Sequence, residues 1–135
     1  MALEYSIDQT RNLIEITGEY ADAAEWERLL SRVAADPRRR PGCIVLRDQR
    51  GGTTPVDPAT VIAIMEVVER FWPALGIRRA AIVMQPHRDS PALVAHAVAD
   101  SENLPIQAFA SYDAALEWLT APDPDARTQR QGSEA

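Results

Sequence analysis

Two stretches of the chain gather side chains whose types do chemistry. In the first, His87, Arg88, Asp89 and Ser90 put a base, a cation, a carboxylate and a hydroxyl in one run. It follows an apolar segment that reads as a parallel strand, and open α/β sheets bind their ligands beyond the carboxyl ends of such strands. A hydrolytic site there would need His87, Asp89 and Ser90 to converge with Arg50 within hydrogen-bond reach. Ser90 precedes Pro91, however, which is the order of a helix N-cap followed by the first helical residue. No Gly-x-Ser-x-Gly elbow surrounds it.

The second stretch is Arg50-Gly51-Gly52-Thr53-Thr54. Its glycines let backbone N–H groups approach an anion and Arg50 supplies charge, but the Lys-Ser/Thr ending of a P-loop is missing. A surface loop is the simpler reading. His96 stands four residues before Asp100, a pairing distance on an exposed helix face. Two histidines and one cysteine offer no zinc-like spacing. The chain therefore reads as one without catalytic machinery, metal or cofactor, acting by binding a partner protein or a small ligand. Arg50, Gly51, Gly52, Thr53, Thr54, His87, Arg88 and Asp89 are the candidate binding residues.

Composition narrows the partners. The 135 residues have room for one domain, and 46% hydrophobic with 25% charged residues is a globular composition. With 20 acidic against 14 basic side chains the net charge is -6, a field that repels phosphate backbones and excludes nucleic acid as the expected partner. Arg38-Arg39-Arg40, between Pro37 and Pro41, reads as a solvated turn. Cys43 lies in the apolar run Cys43-Ile44-Val45-Leu46, where a cysteine acts as a small hydrophobe. A lone cysteine, no leader-like N-terminus and no apolar stretch near the roughly 18 residues of a membrane span predict a cytoplasmic protein.

Periodicity supplies the scaffold. Leu3 to Ile7 and Leu13 to Thr17, joined by a polar link, read as a β-hairpin. Asp22 with Glu25 resembles a capping box, and Trp26, Leu29, Leu30, Val33 and Ala34 form one helical stripe ended by Asp36-Pro37. Cys43 to Leu46 suits a central strand covered on both faces. Asp57 and Pro58 open a second helix with a broad apolar face of Val61, Ile62, Ile64, Met65, Val68, Phe71 and Trp72, ended by Pro73 and Gly76.

Ala80 to Met84 is the next strand, with Val45, Ile82 and Val83 expected in the core. The helix after Ser90 is made mostly of small residues over Pro91 to Ala99. It suits close packing on the sheet, a homodimer surface, or an apolar groove shared with the second helix. Ile106 to Phe109 is the last strand. Ser111 caps a helix bearing Tyr112, Ala115, Leu116 and Leu119, with Trp118 as a structural anchor. The order ββαβαβαβα predicts an α/β domain over 1–119, with a mixed, mainly parallel sheet of about five strands and four helices, and a polar tail over 120–135.

That order resembles a known family. Cys43-Ile44-Val45-Leu46-Arg47-Asp48, Arg79-Ala80-Ala81-Ile82-Val83-Met84 and the ending Phe109-Ala110-Ser111-Tyr112-Asp113-Ala114-Ala115-Leu116-Glu117-Trp118-Leu119 are similar to the SpoIIAA-like branch of the STAS superfamily. The resemblance covers roughly residues 3 to 119, and its most telling piece is the Ala-Leu-x-Trp-Leu helix. It implies a STAS fold and a non-enzymatic, regulatory role, since anti-sigma-factor antagonists of this superfamily bind partner proteins. Those antagonists carry a phosphorylatable Ser or Thr where the helix after the third strand begins. Here that place reads Asp57-Pro58-Ala59-Thr60, and Pro58 has no hydroxyl. Asp57 would also oppose a phosphate at the helix start. Thr53 and Thr54 are the nearest hydroxyls before it. The resemblance thus implies a binder without the usual phospho-switch.

Overall fold

Hydrophobic alternation and helix caps build the architecture in chain order. The structure is a computed structural model that describes residues 3–18, 22–50, 58–84, 97–101 and 103–122. Strand β1 (Glu4–Asp8) pairs antiparallel with β2 (Leu13–Thr17), Tyr5 opposite Ile16 and Ile7 opposite Ile14. The link turns because the Asp8 carboxylate accepts from the Thr10 and Arg11 N–H groups and Asn12 takes the left-handed region at φ 52°.

Helix α1 (Ala23–Ala35) starts at Asp22, whose side chain accepts from Glu25 N at 2.9 Å. The expected reciprocal box does not form. The Glu25 carboxylate instead accepts from Leu3 N at 3.1 Å, tying the helix to the residue before β1.

Strand β3 (Cys43–Asp48) runs two residues past the expected end at Leu46. Helix α2 (Pro58–Leu75) continues through Pro73, the first of the two residues expected to end it, and stops at the second, Gly76. Leu75 explains the continuation: only 1% exposed, it draws the last turn into the core. Gly76 then ends the helix at φ +65°, its N–H donating to the Trp72 and Pro73 carbonyls. Ile62, expected on the apolar face of α2, points outward and is 42% exposed.

Strand β4 (Ile77–Val83) starts three residues before the expected Ala80, because Ile77 pairs with Cys43 ahead of an irregularity between Cys43 and Ile44. Helix α3 covers 97–101 of the described residues, and β5 (Ile106–Phe109) follows. In α4 (Tyr112–Thr120) the Ser111 hydroxyl accepts from Ala114 N at 3.0 Å, as its position predicts.

The five strands lie in the order β1-β2-β3-β4-β5, parallel except for β1. Each parallel crossover steps the same way, so right-handed connections place α1, α2 and α3 on one face. Ile14, Ile16 and Cys43 pack with Trp26, Leu30, Ile64 and Val67 on that face, and Ile82 and Ile106 pack with Val61, Met65 and Ala99. The alternate residues Leu13, Ile44, Leu46, Ala81 and Val83 pack under Ala115 and Leu119 of α4 on the opposite face. The central strand is thus covered on both sides.

Arginines lock the scaffold. The expected solvated turn forms, with Arg38 and Arg40 exposed, and its arginines also act as clamps: Arg38 forks onto Asp36 at 3.0 and 2.7 Å, while Arg39 reaches Leu75 O at 2.8 Å and Ala34 O at 3.2 Å. Arg40 donates to Gln9 O at 2.7 Å. Buried Arg79 donates to the Trp118, Ala121 and Pro122 carbonyls, and its guanidinium lies 5.2 Å from the Trp118 ring centre. Such a cation satisfies the orphan carbonyls at the end of α4 and opposes the helix dipole there. Trp118 also packs on Phe109 at 5.6 Å between centroids. Among the described residues no helix is long and apolar enough to cross a membrane.

Candidate functional site

Alternation carries a charged side chain onto the buried three-helix face. On β3 the residues facing that way are Cys43, Val45 and Arg47, and Arg47 is only 5% exposed. Its guanidinium replaces water with backbone carbonyls: Nη2 donates to Gly18 O at 3.0 Å, and Nη1 to Asp48 O at 3.1 Å and Ile16 O at 3.4 Å. The same guanidinium lies 5.5 Å from the Trp26 ring centre, a cation–π distance. Just past the strand, Gln49 is also buried, and its N–H extends the ladder to Val83 O at 3.0 Å.

Beside these groups, between α2 and the sheet, lies a cavity of about 70 Å³. Ile16, Val45 and Ile82 form its floor, Val61, Ile64, Met65 and Val68 of α2 its roof, and Trp26, Arg47 and Gln49 also border it. Among the described residues the space is roofed by α2; most of the third helix, on which the expected groove with α2 would draw, lies outside the described residues. Trp26 is itself only 6% exposed, and its indole Nε1 is buried without a hydrogen-bond partner among the described residues. A small apolar space bordered by the Trp26 indole N–H suits an apolar molecule with a hydrogen-bond acceptor.

Arg50 is the one candidate binding residue from the sequence that falls among the described residues. It forks onto Asp48 at 3.0 and 2.8 Å and lies 5.0 Å from the Tyr112 ring centre. Its hydrogen bonds hold the Asp48 carboxyl below the usual carboxylate range. Tyr112 in turn donates to Glu15 Oε2 at 3.3 Å, and burial first, then the Glu15 charge, pushes its phenol up. These contacts neutralise Arg50 on the α4 side of the sheet, the face opposite the cavity. Gly51, Gly52, Thr53, Thr54, His87, Arg88 and Asp89 lie outside the described residues, as do Ser90 and His96.

Among the described residues, no three His, Cys, Asp or Glu side chains gather as a metal site. Cys43 is fully buried, its thiol pushed up by desolvation and directed at Leu75 O at 3.5 Å. The residues that sequence reasoning missed are Trp26, Arg47 and Gln49. A signal existed for Arg47, since it continues the period-2 phase of Cys43 and Val45 onto a face that must be covered. No protein-family model matches the chain, and no curated protein is significantly similar to it.

Proposed function

We propose that this protein is a non-catalytic, STAS-like binding module that holds a small apolar ligand in the cavity beneath α2. The observation that carries this reading is the cavity itself: about 70 Å³ of space between α2 and the sheet, with aliphatic floor and roof and polar groups at its border. Cores pack to crystal-like density, and an apolar void lacks the dispersion contacts its lining would otherwise make. A void of this size is therefore a cost that a ligand removes.

The STAS-like assignment is supported by the strand order with α4 alone on the face opposite α1, α2 and α3. Pro58 is the exposed first residue of α2, where antagonists of that superfamily carry the phospho-acceptor, which fits a constitutive binder. A partner-protein surface has less support. Ile62 is the one large hydrophobic exposed among the described residues, and a single such side chain is ordinary on a monomer.

Native mass spectrometry of the protein purified from its own cells tests the reading. The expected spectrum shows excess mass that is released on denaturation, and re-addition of the released molecule raises the melting temperature. A spectrum of bare chain, together with no thermal shift from a panel of small apolar molecules, overturns it.

A further inference from the structure

We infer that the ligand carries an uncharged hydrogen-bond acceptor, a carbonyl oxygen or its equivalent, and that Trp26 Nε1–H is the donor that receives it. This rests on the cavity reading above and adds the chemistry of the occupant. Trp26 borders the cavity, is 6% exposed, and holds its indole nitrogen buried with no acceptor in reach among the described residues. Buried indole N–H groups ordinarily find a partner, and an unmet donor marks the place where something absent from the chain completes the bonding.

The charge of the ligand follows from Arg47. Its Nη donors are directed at the carbonyls of Ile16, Gly18 and Asp48, so the fork that would grip a carboxylate is already engaged with the backbone. Arg47 is the one cation bordering the space among the described residues, and with its Nη donors turned to the backbone it offers an anion charge but no free fork, too little to offset the desolvation of a carboxylate there. A neutral acceptor meets no such penalty. The volume sets the size: about 70 Å³ is near half of the roughly 150 Å³ that holds benzene in an engineered cavity, which leaves room for about three or four heavy atoms. The occupant is thus a small ketone, aldehyde or ester, or the corresponding end of a longer molecule.

Acetone and 2-methylpropene test this, because they share shape and heavy-atom count and differ in the acceptor. The full-length protein is labelled with nitrogen-15 and its three indole N–H signals are followed in proton–nitrogen spectra during titration with each probe. Trp72→Phe and Trp118→Phe identify the Trp26 signal by elimination, so no variant of Trp26 itself has to fold. The expected result is a saturable downfield shift of the Trp26 indole proton with acetone and none with 2-methylpropene, while both probes move the methyl signals of Ile64 and Val61. In Trp26→Phe, where it folds, acetone should weaken relative to 2-methylpropene by about fivefold, the size of one ordinary neutral hydrogen bond. If both probes move the methyls and neither moves the indole proton downfield, the acceptor inference is overturned and the cavity reading stands. If neither probe moves the methyls, both are overturned. An indole proton that already exchanges magnetisation with a bound water also overturns the inference, since its partner is then solvent.

Discussion

Replacing Val45 by Ile tests the cavity from the inside. Val45 faces α2 from the middle of the central strand and is half-buried because one side of it borders the empty space. Isoleucine keeps the β-branched shape and adds one methylene, worth about 0.8 kcal/mol when it moves from water into apolar surroundings. Val45→Ile should therefore raise unfolding stability by about 0.8 kcal/mol and the melting temperature by roughly 3 °C, read by urea titration and calorimetry. The same methylene shortens the space available to an occupant, so acetone and 2-methylpropene should both lose affinity by tenfold or more. Val45→Ala acts in the opposite sense, lowering stability by roughly 1 to 3 kcal/mol through a larger void. A loss of more than about 1 kcal/mol in Val45→Ile would show that the site has no room and that the methylene overpacks it. Unchanged stability with unchanged probe binding would show that Val45 does not border the ligand space at all.

Three further changes probe the scaffold that holds the site. Arg79→Lys should cost about 1 to 3 kcal/mol in urea unfolding, because a single ammonium cannot reach the three carbonyls of Trp118, Ala121 and Pro122 that the buried guanidinium serves. Gly76→Ala should cost more than about 1 kcal/mol, since the residue sits at φ +65° and a methyl group there would lie 3.1 Å from Pro41 Cα. Hydrogen bonds from Arg38, then the Tyr5 hydroxyl, hold the Asp36 carboxyl well below its ordinary value of 3.8. A lowered folded-state value means stability that is present above the unfolded value and lost as pH falls from near 4 toward the folded one. Asp36→Asn should flatten the urea midpoint against pH between about 5 and 2, leaving the part of the slope that Asp48 contributes through its own pair with Arg50. An identical pH slope in the variant would remove Asp36 from the acid response.

The scaffold was legible because each of its elements is written locally. Trp26, Leu29, Leu30 and Val33 repeat at helical spacing, Asp22 and Ser111 stand where caps must stand, and the run from Cys43 to Leu46 needs cover on both faces. The misreadings occur where a distant partner decides. Arg47 looks like the charge that ends a strand until Ile16 O and Gly18 O, about thirty positions earlier in the chain, arrive to accept from it. Pro73 looks like a helix stop until the buried Leu75 draws the last turn inward.

The candidate site shows the same division more sharply. Base, cation, carboxylate and hydroxyl types crowded into a short run are conspicuous at any reading, so attention goes to Arg50–Thr54 and His87–Ser90. A cavity has no such local sign, because it is the volume that side chains from six segments of the chain together fail to fill. An orphaned donor is harder still to read. On the helical stripe Trp26 is one more apolar residue, and nothing within α1 states whether an acceptor will meet its nitrogen. That is decided by β2, β3 and α2, which bring Ile16, Val45 and Ile64 to the cavity Trp26 borders. A site defined by what is missing exists only after every element is in place, which is why stability and binding at Val45 and Trp26 must be measured together.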